Sequence, residues 1–477
     1  MPEYEPVIGL EVHAQLLTKS KMFCSCSAQY GGEPNTQVCP VCLGLPGALP
    51  VANEAAVQAA VKMGLATNSK VAARSVFARK NYFYPDCPKN YQISQFELPL
   101  CQHGVVVLEN ERRIGITRIH LEEDAGKLLH DEGDGFSYVD MNRVGVPLIE
   151  IVSEPDIRTP KEASEYLQKL RSILQYLDIC DGNMEEGSLR ADVNISLREK
   201  GTEPFGTKTE VKNLNSFRAA EQALEFEIGR QEKVLRDGGT VKHETLLWDS
   251  VRNEARLMRS KEGAHDYRYF PEPDLIVLDI EDDLIEEVRR SLPELPGRRE
   301  ARFVEEMNLP AYDARVLTAS KDVADYFETT ADELKDAKTA SNWVMGEVLR
   351  ELKERKVEIK DFRVTPTRLC ALIKELKGGR INTPTAKEVF KEMAESGADA
   401  TKIIASKGLE QISDSGVLDS AIAKILGGHP EEVERYLEGE QKLLKFLVGQ
   451  VMKETRGKAP PQKVSEMLVS ELEKRQK

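Results

Sequence analysis

Nowhere in its 477 residues does the chain carry an apolar run of the roughly 18 residues needed to cross a bilayer as a helix. The opening MPEYEPVIGLEVH also lacks the basic start and apolar stretch of a secretory leader. Both absences predict a cytoplasmic chain with no membrane partner. Positive charge is scarce as well. Lys and Arg number 66 against 80 Asp and Glu, and the net charge of −14 excludes the broad basic surface that coats DNA or RNA nonspecifically. No G-x-G-x-x-G opens a strand–turn–helix unit, so a dinucleotide fold is unsupported. GTEPFGTKT, residues 201–209, has one residue too many before its lysine to be a phosphate loop, and the following EVKNLN reads as strand, not helix. A nucleotide has to be held by another route.

Length alone predicts two to four domains. Residues 1–290 hold short alternating segments, Gly and Pro punctuation and nearly all the aromatic and cysteine residues, which reads as a mixed α/β body that houses the chemistry. Residues 291–364 read as a helical stretch broken by Pro293, Pro296 and Pro310. From 365 to 477, LCALIKEL, TAKEVFKEMAES, ATKIIASKG, LDSAIAKIL and KLLKFLVGQVMKET have helical periodicity, which predicts an all-helical tail. The expected class is α+β. Residues 441–477 carry nine Lys/Arg against four Glu, a local excess that fits either a solvated helix face or an RNA contact.

A reducing compartment argues against disulfides among the eight cysteines. Four of them, Cys24-Ser25-Cys26 and Cys39-Pro40-Val41-Cys42, have the spacing of a tetrahedral structural zinc site, with four unmetallated thiols as the alternative. Cys87, Cys101, Cys180 and Cys370 have no comparable partners.

Carboxylates recur on strand-like segments. In VIGLEVHAQL, residues 7–16, alternation puts Glu11, His13 and Gln15 on one face and Ile8, Leu10, Val12 and Ala14 on the other. IGITRIHLEEDAGK ends a strand with Glu122, Glu123 and Asp124. VPLIEIV sets Glu150 among aliphatic residues, where an unpaired carboxylate is costly. SLRADVNISLR groups Arg190, Asp192 and Asn194, and TKTEVKNLNSF groups Lys208, Glu210 and Lys212. If these acids converge, oxygen ligands with an imidazole suit Mg2+ or Mn2+, and Arg79, Lys80, Arg190, Lys208 and Lys212 would clamp phosphates beside the ion. The alternative is a plain charged sheet surface.

The literal strings VIGLEVHAQL, CPVCLGLPGALPVAN, FARKNYFYPDCPKNYQISQ, HLEEDAGK, NRVGVPLIEIVSEPDIR, MEEGSLRADVNISLR, EVKNLNSFRAAEQALEFEIGRQ, HDYRYFPEPDL and FLVGQVMKETRGKA run the length of the chain. In them it resembles the B subunit of the tRNA-dependent aspartyl/glutamyl amidotransferases. The resemblance implies a three-subunit ligase of translation. An amidase (the A subunit) releases ammonia from glutamine, a small C subunit holds the assembly together, and the B subunit uses ATP to phosphorylate the side-chain carboxylate of Glu-tRNA(Gln) or Asp-tRNA(Asn), which ammonia then amidates. It also implies a cradle-shaped α/β domain with an Mg2+ centre at Glu11, His13, Glu123, Glu150 and Asp192, and Glu210 beside it. Arg79, Lys80, Lys208 and Lys212 would contact phosphate or the acyl end, the aromatic run after Asn81 would face the tRNA 3′ end, and the helical regions would hold the tRNA body. Zinc on Cys24, Cys26, Cys39 and Cys42 would be structural. Leu246 stands where the resemblance calls for arginine, Ala255 where it calls for threonine, and Glu440 where it calls for lysine. Two other readings stay open: a tRNA-binding scaffold without catalysis, and a free-standing kinase of a small carboxylate. No glutaminase nucleophile is evident, so ammonia is expected from a partner.

Overall fold

YEPVIGLEVHAQ forms one unbroken strand, Tyr4–Gln15, because its apolar residues fall on alternate positions. Ile8, Leu10, Val12 and Ala14 are buried against helices, and this strand takes the middle of a nine-stranded sheet. The computed structural model describes residues 2–130, 135–260, 267–410, 415–455 and 459–476. Parts of two strings quoted above, at 261–266 and 456–458, therefore lie outside the described residues.

From one edge to the other the sheet runs Glu254–Ser260, Glu244–Asp249, Thr209–Leu214, Leu189–Glu199, Tyr4–Gln15, Pro147–Ser153, Arg113–Glu123, Cys101–Val107 and Lys70–Val71. Neighbours are antiparallel except Thr209–Leu214 with Glu244–Asp249, which run parallel. One face packs on the helices Glu54–Ala66, Pro160–Tyr176 and Phe217–Arg236, whose apolar stripes share a core with Leu10, Val12, Ile149, Ile151 and Val193. Each helix starts at a side-chain cap. Asn53, Thr159 and Ser216 accept from the amides of Ala55, Glu162 and Ala219, and Pro160 occupies the first turn.

This α+β architecture agrees with expectation, and the boundaries between units refine it. The chain divides at 298/299, into Met1–Arg298 and Arg299–Lys477. The break falls after the expected 290 because Val288, on the helix Asp282–Ser291, is buried in the core of the sheet. Within the second unit one core takes Phe303, Phe327 and Val344 together with Leu369, Phe390 and Ile404, so residues on both sides of the expected 364/365 boundary pack as one body. The helix Pro366–Lys377 begins at that boundary, and Tyr326 Oη donates to Val364 O at 2.8 Å beneath it. A separate core joins Leu418, Leu447, Val464 and Leu472. Among the described residues no helix is long and apolar enough to cross a membrane.

Ile151 is fully buried at the sheet's centre. Ile151→Ala should lose about 2–5 kcal/mol from the first unit through lost transfer energy and a residual cavity. Urea unfolding followed by Trp248, in a Trp343→Phe background that leaves one tryptophan, checks this. A loss below about 0.5 kcal/mol, typical of surface positions, would contradict the assigned core.

Candidate active site

The face of the central strands opposite the helices is the floor of a cavity of about 620 Å³, walled by Lys80, Gln92, Phe96, Tyr267 and Tyr269. Register builds the floor. His13 pairs with Glu150 on one side and Arg190 on the other, and Glu150 pairs with His120, giving a row Arg190, His13, Glu150, His120 across four strands. Next to it Glu11 lies opposite Asp192, and Glu210 opposite Asn194.

Two ligand sets result. His13, Glu122 and Glu150 bring their donor atoms within 4.8 Å of one another, and so do Glu11, Asp192 and Glu210. In the first set, His13 Nε2 lies 3.3 Å and His120 Nε2 3.6 Å from Glu150 Oε2, Ser94 Oγ donates to Glu122 at 3.1 Å, and Lys80 Nζ is 3.9 Å from Glu122. In the second set, Asn194 Nδ2 donates to Glu11 at 3.0 Å, Thr245 Oγ1 to Glu210 at 2.9 Å, and Lys212 pairs with both Asp192 and Glu210. Farther along the floor Asp124 accepts from Gln15 at 2.7 Å and Arg190 at 3.0 Å, with Arg143 at 3.8 Å.

Electrostatics follow from this crowding. Burial first, then the carboxylates of Glu150 and Asp192, raise the pKa of Glu11. Burial also opposes the charge on Glu150, yet the charges and hydrogen bonds of His120, His13 and Lys80 hold its carboxyl well below the usual range. The pKa of His13 rises because Glu150 outweighs the desolvation of its charged form. Carboxylates with one imidazole, gathered this tightly, are the donor set of a hard divalent cation.

Of the residues expected here, Glu11, His13, Glu150, Asp192, Glu210, Lys80 and Lys212 come together. Glu123 does not. One residue along a strand exchanges faces, and Glu123 points with Ile119 and Leu121 to the other side, where it pairs with Lys89 and accepts from Ile93 N at 2.8 Å. Glu122 stands in its expected place. Arg79 is likewise out of phase with Lys80. Its guanidinium is bidentate to the buried Glu272, both bonds 2.7 Å, and stacks 4.2 Å over Tyr91, so it braces the wall instead of reaching a phosphate. Lys208 is exposed and lines a neighbouring groove that shares Glu11 with the main cavity. Sequence reasoning passed over His120, Arg118, Asp86 and Arg143. His120 was readable, because Ile119 and Leu121 are apolar and put His120 and Glu122 in phase on the opposite face.

The four clustered cysteines also converge, their sulfurs within 4.8 Å of one another. Cys39 and Cys42 Sγ are 3.9 Å apart, close to the ~3.8 Å that two ligands at about 2.3 Å on a tetrahedral zinc would show. Cys42 is lowered to about 5, chiefly by hydrogen bonding with Cys24 and aided by the Cys39 amide and the charge of Lys21, against its burial. Cys24, the other partner in that bond, is pushed up. A thiolate already favoured by its surroundings fits a zinc ligand.

An acid-lined, lysine-flanked cavity on an antiparallel floor is the arrangement of an enzyme that handles charged substrates. Comparison with known proteins narrows this. Residues 6–286 match the family described as the GatB/GatE catalytic domain, and residues 325–472 the GatB domain. A protein of Thermodesulfovibrio yellowstonii, named as the B subunit of aspartyl/glutamyl-tRNA(Asn/Gln) amidotransferase, is 55% identical over 469 residues, 98% of each chain. Proteins of the same name from Chlorobium luteolum and Syntrophotalea carbinolica are 54% and 53% identical, covering 99% and 98% of this chain and 100% and 98% of theirs. The chain belongs to the family of these amidotransferase B subunits, ligases of translation.

The three departures have a structural account. Leu246 is buried in the sheet core with Ala255 packed against it, so that corner is closed by apolar contact. Glu440 is exposed and pairs with Arg435 at 2.8 Å.

The cysteine geometry predicts one zinc per chain by metal analysis. Cys42→Ser should release it and lower the thermal midpoint of the first unit by several degrees. Full metal content in the variant would rule this assignment out.

Proposed function

We propose that this chain phosphorylates the side-chain carboxylate of Glu-tRNA(Gln), Asp-tRNA(Asn) or both with ATP, and then directs ammonia from a partner amidase onto the acyl phosphate to give the amide. The observation that carries the reading is the pair of ligand sets side by side in one cavity, flanked by Lys80 and Lys212. A carboxylate is a weak electrophile with a poor leaving group, and phosphorylation corrects both. The protein must then bring together two anions, the γ-phosphate and the substrate carboxylate, in line.

His13, Glu122 and Glu150, with Glu11, Asp192 and Glu210, would hold Mg2+, which would supply charge neutralisation and orientation of the phosphates. Lys80 and Lys212 add positive charge fixed by their carboxylate partners, and the stacked rings of Phe96 and Tyr269 wall one side of the cavity. We assign the release of ammonia to a partner amidase, the A subunit, and the bracing of the complex to a small C subunit. The helical second unit is assigned to the tRNA body, the zinc to structure, and the complex to the cytoplasm.

The test is ADP formation by the chain assembled with its amidase and small subunits. ADP should appear only with Glu-tRNA(Gln) or Asp-tRNA(Asn), and Glu11→Ala or Glu122→Gln should cut it by about 100-fold, or about 2.7 kcal/mol of barrier. Glu123→Gln should cost far less than Glu122→Gln, because that residue lies on the other face and bears on the site only through the position of its strand. Equal ADP formation by wild type and Glu11→Ala would leave a tRNA scaffold as the better description.

A further inference from the structure

Seven acids line the cavity. Six are held by a side-chain hydrogen bond or ion pair; among the described residues Asp86 is held by none. The residue is half-buried and its Oδ1 is buried without a partner; burial raises the carboxyl's pKa, although its own backbone amide and the charge of Arg143 oppose the rise. A carboxylate oxygen removed from water and left without a donor is costly unless something that arrives later satisfies it.

The position of Asp86 is built, not incidental. Its peptide oxygen accepts from Gly126 N at 2.8 Å, and the turn around it closes through Cys87 N to Tyr84 O and Asn90 N to Cys87 O. A Cβ at residue 126 would lie 3.1 Å from that same oxygen, so the close approach depends on glycine. The Gly126 contact ties Asp86 to the end of the floor where Asp124 and Arg143 lie, beyond the two ligand sets. A hydrated divalent ion gathers several carboxylates, and Asp86 offers one, with an arginine nearby.

We propose that Asp86 receives the α-ammonium of the aminoacyl group. The inference rests on the function proposed above. In an aminoacyl ester the α-carboxylate is consumed by the tRNA linkage, so the free amino acid ends are a side-chain carboxylate and an α-ammonium a few bonds away. A site that presents the carboxylate to the ligand sets can orient it by holding the cation at the other end, and Asp86 is the acid of this cavity with hydrogen-bonding capacity to spare.

The experiment measures kcat/KM for amidation by the assembled complex, wild type and Asp86→Asn, with Glu-tRNA(Gln) and with the same tRNA whose glutamyl α-amine has been acetylated. Acetylation should cost wild type on the order of 10- to 100-fold, and Asp86→Asn should cost a similar factor with the free amine, as loss of a charge-assisted bond does. The two losses should not add, because both remove one contact. Equal turnover of the two tRNAs by wild type overturns the proposal and needs no variant. So does an Asp86→Asn loss that is the same on both tRNAs, which would mark a structural role. Absence of amidation of Glu-tRNA(Gln) and Asp-tRNA(Asn) by wild type would instead remove the underlying reading, and the proposal with it.

Discussion

Like charges do not gather in a walled cavity without compensation, and that constraint organises this protein. Seven acids share the cavity with five Lys or Arg and three His. Lys212 bridges Asp192 and Glu210, His13 and His120 converge on Glu150, and Arg190 and Gln15 hold Asp124. Where compensation falls short the carboxyl moves toward its neutral form, as burial and its neighbours do to Glu11. A divalent cation would relieve that same residue most.

Compensation of this kind demands positional precision, which the sheet provides. The residues of both ligand sets sit on strands whose other face is locked into the core, so a shift of one residue would expose Ile149 and Ile151 and bury Glu150 against the helices. The cost of such a slip is many apolar contacts at once. Register is therefore held by the hydrophobic face while chemistry occupies the polar one. The capped helices that cover the core fix the floor without touching it.

That division explains what could be read from residues alone. Glu11 with His13, Glu150 within LIEIV, and Asp192 with Asn194 were legible because their apolar neighbours alternate cleanly and fix the phase. Of the expected residues that lie outside the cavity, Glu123 and Arg79 each sit beside a second charged residue of the same sign, Glu122 and Lys80, where composition does not say which one faces the cavity. For HLEED the apolar Ile119 and Leu121 settle the phase. In ARKN no such run exists, and Glu272, nearly two hundred residues away, decides it. Asp86 comes from a turn and Arg143 from the three-residue 3-10 helix Met141–Arg143, both too short for a period to apply. At 364/365 TPT reads equally as a linker and as the start of a helix, and the core shared by Phe303 and Leu369 is a long-range contact that no local pattern displays.

Glu123 shows that the opposite face is not inert. With Lys89 it forms a buried pair beside Cys24 and Cys42, on the far side of a strand whose adjacent residue, Glu122, belongs to the first ligand set. Breaking one member of a buried pair leaves an uncompensated charge, so this pair and the cysteine loop next to it constrain where the end of Arg113–Glu123 lies. Glu122 is the next residue on that strand, so whatever fixes Glu123 also bears on its position. The cysteine loop, though remote from any proposed chemistry, thereby helps to hold a ligand of the active face in register.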